Sequence, residues 1–129
     1  MAKRSILVVD DEKGIRRIVS DYLKSEDFNV IEAEDGNTAL SFINEQNPCL
    51  IIMDIMMPGI NGWEACREIK KVKDIPVIII TACEDETTKI LSFDAGADDF
   101  LTKPFSPKEL VGRTKAILRR FDDRLRVIG

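Results

Sequence analysis

The fold of this chain is indicated by the stretch ILVVDD at residues 6–11 and by the residues that follow it. Four apolar residues in succession, rich in β-branched side chains, predict a short strand that is buried on both faces. The next apolar residues recur at i, i+3, i+4, i+7 and i+8, the spacing of one face of a helix; they are Ile15, Ile18, Val19, Tyr22 and Leu23. A buried strand that leads directly into a helix is typical of a parallel sheet.

The same alternation continues along the chain. Further strands are predicted at residues 28–33, 50–53, 77–80 and 98–102, and further helices at 37–44, 63–72, 84–95 and from Ser106-Pro107 onward. Five strands that alternate with five helices predict an α/β fold, a doubly wound five-stranded parallel sheet, (βα)5, with helices on both faces.

Composition excludes several classes of function. The chain has 129 residues and a net charge of −4, so the domain by itself is not expected to hold nucleic acid. It has no histidine, which removes the commonest general base and zinc ligand. Its three cysteines form no close pair of the kind that binds metals, which favours reduced thiols in the cytoplasm. No apolar run is long enough to span a membrane, and no export signal is apparent.

Polar residues follow four of the predicted strands. Asp10-Asp11 follows the first strand, Asp54 the third, Thr81 the fourth and Lys103 the fifth. In a parallel sheet these positions meet at one edge. Converging carboxylates must be protonated or hold a cation, and oxygen ligands without His or Cys favour Mg²⁺ or Ca²⁺, with Mg²⁺ preferred where protein ligands are few.

Each of these residues has an ordinary structural explanation when it is taken alone. An acidic pair or a threonine before a helix is commonly a cap, and an aspartate after a strand commonly forms a turn. Together, a carboxylate beside a cation, a lysine and a hydroxyl are the groups that handle a phosphoryl group. The combination therefore predicts phosphoryl chemistry at this edge.

Four motifs occur in order along the chain: VVDD at 8–11, MDIMMPGING at 53–62, IITA at 79–82 and DDFLTKPF at 98–105. Over residues 4–121 the sequence resembles the receiver domain of two-component response regulators. The resemblance implies a flavodoxin-like fold with strand order 2-1-3-4-5. It implies a receiver domain at residues 1–121, with 122–129 as the end of the last helix or the start of a linker to a missing output domain.

The resemblance also implies a role for each polar residue at the edge. Asp54 would be the phosphoacceptor, Thr81 would hold a phosphoryl oxygen, and Lys103 would pair with the phosphate. Phe100 would be the aromatic residue that swings inward together with Thr81. The domain would be a signalling switch rather than an enzyme, and a sensor histidine kinase would be its phosphoryl donor.

The cofactor implied by the resemblance is Mg²⁺. Asp11, Asp54 and the main-chain carbonyl of Met56 would bind the ion directly, and Asp10 would act through a water molecule. These residues complete the set of candidate site residues.

Three other classes of protein compete with this interpretation. A phosphatase of the haloacid dehalogenase type needs a second aspartate two residues after its nucleophile, and Met56 occupies that position. A flavodoxin needs a phosphate-binding loop after the first strand, where the acidic residues 10–12 would repel the phosphate. A receiver-like scaffold that never accepts phosphate would not need the acidic pair, Asp54, Thr81 and Lys103 together.

A subclass of response regulators joins the receiver to a winged-helix DNA-binding domain, and its receivers pair through helix four, strand five and helix five. The resemblance to this subclass implies a phosphorylation-dependent homodimer. Its bridges would join Lys89 with Glu109, Asp98 with Lys115, and Asp99 with Arg113, helped by apolar contacts from Ile90, Leu91 and Val111. We expect DNA contact only through a missing C-terminal domain and no membrane contact. A stand-alone receiver and a receiver with a different output domain are the alternatives.

Overall fold

The computed structural model describes residues 3–57 and 59–128. Strands and helices alternate along it without exception. Its elements are β1 (Ser5–Val9), α1 (Lys13–Ser25), β2 (Asn29–Ala33), α2 (Gly36–Gln46), β3 (Leu50–Asp54), α3 (Gly62–Val72), β4 (Val77–Thr81), α4 (Glu86–Asp94), β5 (Asp99–Thr102) and α5 (Pro107–Ile128).

The five strands form one sheet in the order β2-β1-β3-β4-β5, the order that the resemblance to receiver domains implies. All four pairings are parallel. Val9 lies beside Met53, Asp54 beside Ile80, and Thr81 beside Thr102. The carboxyl ends of β1, β3, β4 and β5 therefore meet at one edge.

The two faces of the sheet carry two separate apolar cores. One core packs β1, β3 and β4 against α2 and α3, with Ile43 and Ile69 among its helical members. The other packs the alternate residues of the same strands against α1 and α5, with Leu23 and Leu110 among its helical members. All five residues of β3 and of β4 are buried. Burial on both faces explains why the first four residues of each strand are an uninterrupted apolar run.

Side-chain caps set where three of the helices begin. The carboxylate of Asp35 accepts from the amide of Thr38 at 2.7 Å, and that of Asp85 accepts from the amide of Thr88 at 2.7 Å. Asn61 caps α3 in the same manner. Because the first amides of a helix have no intrahelical acceptor, such caps fix its first turn. Sequence reasoning started the fourth helix at residue 84, and the cap at Asp85 moves its start to Glu86.

The last helix continues into the segment for which the sequence left two alternatives, residues 122–129. α5 runs to Ile128, so residues 122–128 are helical, and residue 129 lies outside the described residues. Two ion pairs tie this end of α5 to loops at the amino edge of the sheet: Arg4 with Asp122, and Arg124 with Asp74.

Substitution by alanine at two glycines should change the stability of the fold in opposite directions. A Cβ at Gly62 would lie 2.5 Å from the carbonyl oxygen of Asp54 and 2.7 Å from Cα of Ile55, whereas a Cβ at Gly112, on the exposed side of α5, would meet nothing within 4 Å. We expect Gly112→Ala to raise the free energy of unfolding by about 0.5–1 kcal/mol, the helical advantage of Ala over Gly. Gly62→Ala should lower it, since the clash is with backbone. Urea unfolding measures both, and a Gly62→Ala protein as stable as wild type would contradict the close approach at β3.

Candidate functional site

A single lysine joins the carboxylates at the carboxyl edge of the sheet. The Nζ atom of Lys103, in the loop after β5, lies 2.9 Å from Oδ2 of Asp54, 3.0 Å from Oδ2 of Asp10 and 3.2 Å from Oε1 of Glu12. Asp10 and Asp54 are buried, and Lys103 is mostly buried. The edge predicted from the strand ends is therefore a cleft in which Asp10, Asp54 and Lys103 meet.

Burial and charge act in opposite directions on the groups in this cleft. Burial by itself would lower the pKa of Lys103, but the attraction of the Asp54 and Asp10 carboxylates outweighs it and raises that pKa above its usual value. Burial raises the pKa of Asp10, although the amide of Glu12 and the ammonium of Lys103 oppose the change. Lys103 therefore stays positively charged. Burial makes the negative charge on Asp10 unfavourable, and a further cation nearby would stabilise that charge.

Four carboxylates cluster around this lysine. One oxygen from each of Asp10, Asp11, Glu12 and Asp54 lies within 4.8 Å of the others. Sequence reasoning named three of these residues and left out Glu12, although it directly follows the acidic pair and its position alone could have identified it. Four carboxylates facing one ammonium leave an excess of negative charge, which favours a bound cation.

One buried oxygen of the cluster supports the same conclusion. Oδ1 of Asp10 accepts from the amide of Glu12 at 2.9 Å. Oδ2 has no hydrogen-bond donor among the described residues, because the nearby ammonium of Lys103 forms an ion pair outside hydrogen-bond geometry. Buried polar atoms normally have partners. A small hard cation with its water molecules fits this oxygen-only donor set.

The turn after β3 presents Asp54 to the cleft. Oδ1 of Asp54 accepts from the amide of Met56 at 3.1 Å, and Oδ2 accepts from Lys103 at 2.9 Å. The side chain of Met56 is 71% exposed. The main chain of Met56 is thereby held next to Asp54 while its side chain points to solvent.

Thr81 is buried at the end of β4, next to the strand that carries Asp54. Its Oγ1 accepts from the amide of Cys83 at 3.3 Å, and its carbonyl accepts from the amide of Lys103 at 2.7 Å. Because the hydroxyl oxygen acts there as an acceptor, its proton is left to donate to another oxygen. The loops after β4 and β5 are joined at this residue.

Comparison with protein families matches residues 6–115 to the response regulator receiver domain. The chain belongs to this family. Receiver domains of this family bind Mg²⁺ at an acidic pocket, and the cluster of four carboxylates lies at the corresponding edge of this one. The resemblance read from the four sequence motifs is thereby confirmed.

Individual relatives agree with this assignment. The receiver is 45% identical over 122 residues to "Probable transcriptional regulator ycf27" of Porphyridium aerugineum. The matched region covers 95% of this chain and 51% of that protein. The chain thus spans about half the length of this curated relative.

Solved structures show the same fold. A putative response regulator from Chloroflexus aurantiacus J-10-fl has a TM-score of 0.86 and 36% identity, covering 91% of this chain and 98% of that one. A CheY-like receiver domain protein from Methanospirillum hungatei JF-1 has a TM-score of 0.90 and 26% identity, covering 95% and 98%. In the described part of the receiver, no helix combines the length and apolar character needed to cross a bilayer.

The charged residues expected to bridge two receivers have partners within the chain. Arg113 pairs with Asp99 at 3.0 Å and with Glu109 at 3.1 Å. Asp98 pairs with Lys70 at 2.9 Å, and Lys115 pairs with Glu26. Bridges between Asp98 and Lys115 of two copies would have to replace these contacts.

The apolar residues proposed for the same face need one correction. Ile90 and Leu91 are exposed as expected, but Val111 is buried in the core beneath α5. Phe93 is 50% exposed and supplies apolar surface on α4 in its place. Val111 was misassigned because α5 is amphipathic and its sequence alone does not show which face meets the sheet.

A series of hydrogen bonds links the loop after β4 to two helices. Sγ of Cys83 lies 3.2 Å from Oγ1 of Thr88, and the hydroxyl of Ser92 donates to the carbonyl of Thr88 at 2.8 Å. The indole of Trp63 on α3 donates to the same Ser92 hydroxyl at 3.0 Å. Sequence reasoning missed this contact, because Trp63 and Ser92 are distant in sequence and neither belongs to a motif.

Removal of the central lysine should strengthen Mg²⁺ binding. Lys103→Ala takes away a positive charge that competes with the ion for Asp10 and Asp54. We expect the dissociation constant for Mg²⁺ to fall on the order of tenfold, as a charge a few ångströms away implies. Isothermal titration calorimetry measures it. Lys108→Ala, which removes an exposed lysine of α5, is the control and should not change it. Weaker binding in Lys103→Ala would show that the lysine orders the carboxylates rather than competing for them.

Proposed function

We propose that this receiver accepts a phosphoryl group from a sensor histidine kinase on Asp54 and then changes the face formed by α4, β5 and α5. The observation that carries the proposal is the contact of Lys103 with both Asp54 and Asp10 inside an acidic, mostly buried cleft. Membership of the receiver family supports the same reaction. The domain is a signalling switch in this proposal, with the kinase domain and the receiver meeting in the cytoplasm.

The residues of the cleft suit phosphoryl transfer. An Asp54 oxygen forms the new P–O bond, the P–N bond to the kinase histidine breaks, and the bonding electron pair returns to the imidazole ring. Lys103 neutralises charge on the phosphoryl oxygens. Thr81 donates its free hydroxyl proton to one of them. Both residues are held for this task by the bond between the Lys103 amide and the Thr81 carbonyl.

The metal expected here is Mg²⁺. Asp11, Asp54 and the carbonyl of Met56 would hold it, with Asp10 acting through water. When bound, the ion supplies positive charge that offsets the phosphoryl oxygens during transfer. The oxygen-only donors and the buried Oδ2 of Asp10, which has an ion pair with Lys103 but no hydrogen bond, support this assignment.

Acetyl phosphate tests the phosphoacceptor. We expect intact-mass spectrometry to show one added phosphoryl group in the presence of Mg²⁺ and none after chelation. Asp54→Asn should abolish the label, because an amide oxygen does not replace the carboxylate nucleophile. Asp94→Asn, which alters an exposed aspartate at the end of α4, is the matched control and should label like wild type. Undiminished labelling of Asp54→Asn would refute the assignment.

The proposed output of the switch is a homodimer formed through α4, β5 and α5. Exposed ion pairs contribute about 0.2–1 kcal/mol each, and most of the charged residues would first have to break ion pairs within the chain. Apolar contact must therefore supply much of the affinity. The exposed side chains of Ile90, Leu91 and Phe93 offer it on α4. Phosphorylation would act by moving Thr81 and Phe100, which favours the arrangement of α4 that pairs.

Sedimentation tests the dimer. With beryllofluoride, a phosphoryl mimic, wild type should form a dimer that weakens as salt is added, since its bridges are exposed. Ile90→Asp should remain monomeric at concentrations at which wild type is dimeric. Val72→Asp alters an aliphatic side chain of similar exposure on α3 and should still dimerise. A wild type that stays monomeric with the mimic at high micromolar concentration would leave a stand-alone switch.

We further propose that the dimer controls transcription. The support is the similarity to a protein named as a transcriptional regulator, of which this chain spans about half. With its net charge of −4, the receiver would contact DNA only through a further domain. Sequencing of the parent gene downstream of residue 129 tests this, and a reading frame without a DNA-binding domain would contradict it.

A further inference from the structure

Arg16 connects helix α1 to the backbone of the acidic pair. Its Nη1 donates to the main-chain carbonyl of Asp10 at 2.7 Å, and its Nε donates to Oε1 of Glu32 on β2 at 3.2 Å. Only 13% of its side chain is exposed. The next residue along the helix, Arg17, is exposed and makes neither contact.

The carbonyl bound by Arg16 belongs to the peptide that leads into Asp11. A peptide unit is planar, so the Asp10 carbonyl and the Asp11 amide turn together. The amide of Asp10, on the preceding peptide, donates to the carbonyl of Ala33 at 3.1 Å. The backbone of Asp10 is thus held on one side by β2 and on the other by Arg16.

The side chains of the acidic pair differ in how they are held. The carboxylate of Asp10 accepts from the Glu12 amide and meets Lys103. The carboxylate of Asp11 is exposed and makes no hydrogen bond or ion pair within residues 3–57 and 59–128. Only the backbone that carries it therefore limits where the Asp11 carboxylate can lie.

We propose that Arg16 is a positioning residue that fixes the Asp10–Asp11 peptide plane and, through it, the Asp11 carboxylate in the metal site. The inference rests on the proposed function, in which Asp11 binds Mg²⁺ directly. A guanidinium suits the task, because its planar array of donors reaches the carbonyl and the Glu32 carboxylate at once. A lysine has the charge but lacks this rigid fork.

The charge of Arg16 and its positioning role predict opposite changes in metal affinity. If the guanidinium acted only as a nearby positive charge, its removal would tighten Mg²⁺ binding to the carboxylates. If it positions Asp11, its removal weakens binding, since groups that orient metal ligands typically contribute 10- to 100-fold to affinity. The sign of the change therefore separates the two.

The experiment compares Arg16→Met, Arg16→Lys and the control Arg17→Met with wild type, using the whole chain. Titration calorimetry gives the Mg²⁺ dissociation constant of each. Both Arg16 variants should bind about tenfold more weakly, although Arg16→Lys keeps the charge. Arg17→Met loses a charge on the same helix and should bind no more weakly than wild type.

Urea unfolding with and without Mg²⁺ supplies a second readout. The stabilisation by Mg²⁺ reports its binding to the folded state, and it should shrink in the two Arg16 variants and persist in Arg17→Met. If the Arg16 variants are destabilised equally with and without Mg²⁺ and their Mg²⁺ affinity is unchanged, Arg16 is only a structural contact and the proposal is overturned. Tighter Mg²⁺ binding in Arg16→Met would also overturn it. If wild type is labelled on Asp54 and the Arg16 variants bind Mg²⁺ as tightly as wild type, this inference fails while the proposed function stands. Wild type that neither binds Mg²⁺ nor labels refutes the proposed function as well.

Discussion

The geometry of the cleft depends on one ammonium group placed among carboxylates from two other strands. Lys103 follows the edge strand β5, and its side chain passes the end of β4 to reach Asp54 at the end of β3 and Asp10 after β1. Charges removed from water are costly unless they are paired, and removal of one partner leaves the others uncompensated. The loops after β1, β3 and β5 are therefore coupled, and a change in charge at any one of them is felt by the other two.

The balance of charge in the cleft also explains why it should respond to a phosphoryl group. Four carboxylates meet one lysine, so the site by itself would repel an anion. A bound divalent cation inverts that local field. Under the proposed function, a bound cation would make the cleft favourable for a phosphoryl group, and the buried hydroxyl of Thr81 would then have an oxygen to which it could donate.

The sequence was sufficient for the features that follow from burial. β3 and β4 were recognised because strands covered on both faces are apolar runs, here up to their last residue, and the cleft followed from the parallel arrangement of the strand ends. Contacts that depend on where side chains point could not be read in this way. Arg16 binds a main-chain carbonyl, an acceptor that every residue possesses, so no sequence pattern marks it. The partners of Asp98 and Lys115, Lys70 and Glu26, are far away in sequence.

The length of α5 has a mechanical consequence. Its 22 residues make a rod about 33 Å long, with its first turn next to the cleft and its last turns at the opposite edge of the sheet. A helix of this kind bends little, so a tilt of about 5° at Pro107 would displace the far end sideways by about 3 Å. Two exposed ion pairs, Arg4 with Asp122 and Arg124 with Asp74, tie that end to the neighbouring loops, and Phe121 packs it against the core. Because of this length, any tilt at the first turn of α5 would reach the last turns as a larger sideways displacement.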